Sequence, residues 1–273
     1  MKKTSISHAA TPQPTPRPHG ALAAALSAAL LLAGCGSNPP VPDWQMTAHG
    51  SIERATSAYM SGNARVEAAE FARAREALAS TGKVDLIIRA ELIRCAARVA
   101  SLVFEGCTGY DKLAQDASPA DRAYATYLAG RLPAAPAPAQ PAIAPQPGAM
   151  PSTTQSPTTA LPPTAAPLAA ADLALLPEQH RAVAAAASDV TAAGAVQAIA
   201  DPLSRLVASG VLLRAGRATP QLLADAVETA SAQGWRRPLL AWLGVQAMRA
   251  EQAGDTIEAQ RIKRRIALIT NPT

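Results

Sequence analysis

Apolar positions recur every three to four residues through two long stretches of the chain, and nowhere do they alternate. Ile88, Leu92, Cys95, Ala96, Val99, Leu102 and Val103 fall on one face of a helix. Ser118-Pro119-Ala120-Asp121 then supplies a capping serine, a proline where the missing N–H costs nothing, and an acidic third position. Ala120, Ala123, Tyr124, Tyr127 and Leu128 line one face of the helix that follows, and Gly130 stops it. Asp201-Pro202 and Thr219-Pro220 are two more cap-then-proline starts. Gly234 closes the helix that begins at 220, and Asp255-Thr256-Ile257-Glu258 has the pattern of a capping box. No segment alternates apolar with polar residues around β-branched side chains, so the expected fold class is all-α, with two helical-hairpin units.

Composition divides these helices. Residues 132–171 carry no charged side chain and are mostly Pro, Ala, Gln, Thr and Ser. Such a stretch cannot bury a core and tends to polyproline II. Extended at about 3.1 Å per residue, Pro133 to Pro167 would span roughly 110 Å. The expected organisation is a leader over 1–34, a tether over 35–47, a helical unit over 48–131, a disordered Pro/Ala-rich linker over 132–171 and a second helical unit over 172–273. The two units are expected to move independently. Aromatic residues are 3% of the chain, so the core must be built from Ala, Leu, Val and Ile, which suits closely packed helices.

The amino end carries Lys2, Lys3 and Arg17 and no acid before Asp43. An apolar run from Ala21 to Ala33 follows, too short for a bilayer core, which needs about 20 residues. It fits the apolar region of a secretory signal. The run ends in Leu32-Ala33-Gly34-Cys35, which resembles the bacterial lipobox. That resemblance implies cleavage before Cys35 and acylation of its sulfur, giving a membrane anchor. Gly rather than Asp at position 36 resembles the outer-membrane sorting pattern of Gram-negative lipoproteins, with the periplasmic face expected. Removing the leader takes three basic residues and brings the formal charge from +5 down towards neutrality. The basic balance of the whole chain therefore says little about partners, and no basic patch interleaved with aromatics points to nucleic acid.

Two stretches resemble tetratricopeptide (TPR) hairpins. One has Ala55, Tyr59, Gly62, Ala68, Phe71 and Ala74; the other has Leu240, Leu243, Gly244, Gly254, Asp255, Glu258, Ala259 and Pro272. Small residues at these places let antiparallel helices approach. Lys263 stands where the second hairpin would usually carry an aromatic residue. The chain as a whole resembles uncharacterised proteobacterial outer-membrane lipoproteins with TPR-like helical hairpins, a resemblance that brings no activity with it.

Chemistry is sparse beyond the leader. His49 and His180 have no metal-ligand partner at i+3 or i+4, and both are expected in solvent, His180 in a first helical turn. Acidic pairs such as Glu67/Glu70 read as a solvated helix face. No nucleophile elbow, phosphate loop or dinucleotide fingerprint occurs. No catalytic residue, metal or cofactor is therefore assigned. Cys95 and Cys107 either form a disulfide, worth about 3 kcal/mol for so short a loop, or leave Cys95 as a small apolar core residue. The densest charge is Arg261, Lys263, Arg264 and Arg265. Arg261, Arg264 and Arg265 share a helix face and are candidates, with Trp235, for contact with lipid headgroups or an acidic partner, unless the face is merely solvated.

The function expected from the sequence is a lipid-anchored cell-envelope protein acting as a helical binding or scaffold module. It is expected to contact the membrane through its lipid and an envelope protein through residues 201–269, carried within reach by the linker. The alternatives are an envelope enzyme or enzyme regulator with an unrecognised site, or a structural spacer. The anchor is checked directly: Cys35→Ser should leave an unprocessed precursor or a soluble form, and unchanged fractionation and gel mobility would refute the lipidation.

Overall fold

A computed structural model describes residues 40–133 and 166–271. Cys35, most of the Pro/Ala-rich stretch and Pro272 lie outside them. Helices account for nearly all regular structure: α1 (Asp43–Ser61), α2 (Ala64–Ala79), α3 (Val84–Ala100), a single turn α4 (Thr108–Asp111) and α5 (Pro119–Leu128). After the undescribed stretch come a 3-10 segment (Ala170–Leu175), α6 (Glu178–Ala185), α7 (Asp189–Gln197), α8 (Pro202–Arg214), α9 (Pro220–Ala232), α10 (Arg236–Gln252) and α11 (Thr256–Thr270). The fold is all-α, and no strand occurs among the described residues.

Local chemistry explains the helix boundaries. Ser118 and Asp121 form a reciprocal capping box. Asp201 and Thr219 accept from the backbone N–H three residues on, with proline at the first helical position of α8 and α9. Asp255 accepts from Glu258 N at 3.0 Å, but the Glu258 carboxylate turns to Arg261 instead of completing a box. The hairpin α1–α2 turns at Gly62 (φ +88°) and α10–α11 at Gly254 (φ +74°), both in the left-handed region that glycine tolerates. Within the first hairpin Ala55, Tyr59, Phe71 and Ala74 are buried, whereas Ala68 is exposed. Lys263 pairs with Glu251 of the preceding helix.

Three expectations need correction. α1 begins at Asp43, so the tether is shorter than 35–47. α3 ends at Ala100, before Leu102 and Val103. There the Leu102 N–H donates to Val99 O and the Val103 N–H to Arg98 O, with Leu102 at φ +59°. This is a Schellman closure made with leucine where glycine is usual. Burial of the Leu102 side chain against the core offsets the cost of that conformation. The reversal brings Cys107 back to α3, where it is disulfide-bonded to Cys95 with the Cα atoms 5.5 Å apart.

The third correction concerns organisation. The helices on either side of the Pro/Ala-rich stretch do not form two bodies: the described residues from Asp43 onward belong to one compact unit. One apolar core runs through Met60, Ile88, Val99 and Tyr127 and on through Leu206, Val211, Leu222 and Trp242. α3 and α8 pack closely at Gly210, where a Cβ would overlap the Val99 carbonyl. Trp242, fully buried, donates its indole N–H to Ala100 O at 3.0 Å. Arg237 stacks on the Tyr59 ring at 4.4 Å and donates to Tyr59 O at 2.8 Å, fixing the start of α10 to the end of α1. The Leu168 N–H donates to Arg131 O at 2.9 Å, and both Leu132 and Leu168 are buried. The residues flanking the undescribed stretch are thus hydrogen-bonded to each other, and the helices on its two sides share one core.

Cleavage within 134–165 should therefore leave two fragments that co-elute on gel filtration under native, non-reducing conditions. Gly210→Ala should destabilise the intact chain by about 1–3 kcal/mol through overpacking and make the cleaved fragments separate at lower denaturant. Fragments that separate freely from the unsubstituted protein would contradict the shared core.

Candidate binding groove

α9, α10 and α11 enclose a groove of about 480 Å³. α9 and α11 form its walls and the carboxyl half of α10 its back. Leu223, Val227 and Ile262 supply an apolar floor, and Arg249, Arg261 and Arg265 bring cations to it. Helical spacing accounts for the α11 wall. Glu258, Arg261 and Arg265 lie at i, i+3 and i+7 and share one flank, while Ala259 and Ile262 pack inward.

The cations differ in what they already hold. Arg261 makes a two-pronged ion pair with Glu258 at 2.7 and 2.9 Å and holds that exposed carboxyl below its ordinary range. Arg249 gives one N–H to Ala218 O at 3.0 Å. Neither Arg249 nor Arg265 has a carboxylate within ion-pair distance among the described residues. Glu228 faces the groove from α9 and is likewise without a salt bridge there. The free charges are thus basic on α10 and α11 and acidic on α9.

The residues singled out from sequence do not converge. Arg261 and Arg265 line the groove, but Arg264 is turned to the outer surface of α11 with Ile257 and Leu268, which are 83% and 75% exposed. A helix advances 100° per residue, so adjacent arginines cannot share a flank closely. Trp235 is half-buried against the core at the other end of α10, about 20 Å along the helix axis from Arg249. It is not part of the groove. Trp242 is core, as its leucine neighbours suggest. Arg249 and Glu228 were not visible as site residues, because they meet only through the packing of three helices.

His180 is a clear departure from expectation. It is 1% exposed, its Nδ1 lies 3.2 Å from the Tyr127 hydroxyl, and it stacks with Tyr124 at 5.8 Å between centroids. The signal was present: Leu176, Val183 and Ala184, at i−4, i+3 and i+4, are all buried and place His180 on the inward face. The Glu67 carboxylate is also buried, paired with Arg94 at 2.6 Å, and Glu91 is buried against Arg75. These acids tie α2 to α3 and do not form a solvated face. His49 is exposed and pairs with Glu53 one turn on.

Burial pushes the His180 pKa down to about 4, against a weaker opposing pull from Asp201, and pushes the Tyr127 hydroxyl well up. No family model, curated protein or solved structure matches this chain.

The His180 shift generates a pH dependence. The folded protein refuses a proton that the unfolded chain binds, so this stabilisation is complete above the ordinary value near 6.5 and fades as pH falls towards 4. Between about pH 7 and pH 5 the loss should be about 2 kcal/mol. His180→Gln should flatten that part of a denaturation-versus-pH curve. An unchanged slope in the variant would show that His180 is not its source.

Proposed function

We propose that this chain is a lipid-anchored protein of the bacterial outer membrane, attached through Cys35 and facing the periplasm. In this reading its single helical domain is a non-catalytic binding or scaffold module for an envelope protein. The groove between α9 and α11 is the binding site. The observation that carries this is the pair Arg249 and Arg265, set without a salt bridge among the described residues beside the apolar floor of Leu223, Val227 and Ile262. Partly buried cations beside apolar surface are the makings of a recognition site.

The anchoring part of the reading rests on the Leu32-Ala33-Gly34-Cys35 sequence. No described helix is long and apolar enough to cross a membrane. Because the helices on either side of the Pro/Ala-rich stretch share one core, the groove's position follows that of the whole domain.

A photoreactive residue placed at Ala224 or Ala250, which line the groove, should yield a crosslink to one envelope protein in living cells. The same residue at exposed Ala72 on α2 should yield none to that protein. Adducts from Ala72 with none from the groove positions would move the site elsewhere.

A further inference from the structure

The groove is electrically two-sided, and that restricts what it can hold. Arg265 on α11 and Glu228 on α9 stand on opposite walls, and Arg249 on α10, held to Ala218 O at the foot of α9, lies between them at the back. Glu258, the second acid present, is spent on Arg261. A purely anionic occupant satisfies the arginines but leaves Glu228 facing like charge. A purely cationic one meets two unpaired arginines. The complementary occupant is amphipathic and carries both signs on separate edges.

We infer that the groove takes a peptide segment of its protein partner with an apolar ridge seated on Leu223, Val227 and Ile262. Carboxylates along the edge of that segment nearer α11 face Arg265, and a lysine or arginine on the edge nearer α9 faces Glu228. This rests on the groove being the binding site. An anionic phospholipid fits less well: its phosphate gains the arginines and is repelled by Glu228, and the open groove leaves an acyl chain in water. A helical segment of about three turns is long enough to present one ridge and both edges.

The test uses the full-length protein in neutral detergent and three fluorescent helical peptides with the same apolar ridge. One has an acidic and a basic edge, one has two acidic edges and one has two basic edges. Anisotropy titrations should rank them in that order, each step about twofold to fivefold, the range expected for one partly exposed ion pair. Glu228→Arg should invert the first two, making the doubly acidic peptide the tightest. Arg265→Glu should weaken that doubly acidic peptide by a similar factor. Matching thermal melts establish that both variants are folded.

An unchanged ranking in Glu228→Arg would overturn the two-sided recognition. So would the absence of peptide binding, or full displacement of the mixed-edge peptide by phosphatidylglycerol micelles. Groove crosslinks in cells combined with an unchanged ranking would leave the binding site standing and remove only this peptide chemistry. Absent groove crosslinks would remove both.

Discussion

The close approach of α3 and α8 at Gly210 holds the two halves of this chain in one domain. Only a residue without a side chain lets the α8 backbone reach the Val99 carbonyl. That contact sets the separation of the halves, and the rest of the core is sized to it. Small residues around it, Ala96, Ala97, Ala100 and Ala208, are all buried. An alanine-rich core gains less from transfer per side chain than a leucine-rich one, and compensates with close backbone packing and dispersion contacts. Trp242 is the exception in size. It fills the space beyond Ala100 and satisfies the carbonyl that the end of α3 leaves free.

The same contact governs the groove. α10 is the back of the groove and also the helix that reaches across to the first half, through Trp242 to Ala100 and through Arg237 to Tyr59. A platform fixed at such points presents Arg249 at a fixed height between α9 and α11. Recognition by a few weak ion pairs depends on such fixity, because each is worth little if the side chain or its helix must be ordered on binding.

Four helix starts are legible in the sequence because they are written locally: Ser118, Asp201, Thr219 and Asp255 each cap the helix they precede, whereas the start of α1 at Asp43 carries no such signal. The end of α3 was not, because Leu102 takes a conformation that usually announces itself as glycine. His180 was misjudged because its residue type outweighed the apolar spacing around it. The joining of the two halves was hidden for a different reason. A long uncharged stretch reads as a bridge between bodies, and nothing in its composition reveals that Arg131 and Leu168 meet. The groove was half legible. α11 displays its arginines, but which of them turn inward is decided by Ala259 and Ile262, and the opposing Glu228 is brought there by tertiary packing alone.

The backbone bond between Arg131 and Leu168 has a mechanical consequence. A tension applied between the amino end of the domain and α11 does not run along residues 134–165. It passes from α1 into α10 through Tyr59 and Arg237, and from α3 into α8 and α10 through Gly210 and Trp242. The number of residues between Arg131 and Leu168 can therefore change, by insertion or deletion, without altering either the strength of the connection or the position of the groove.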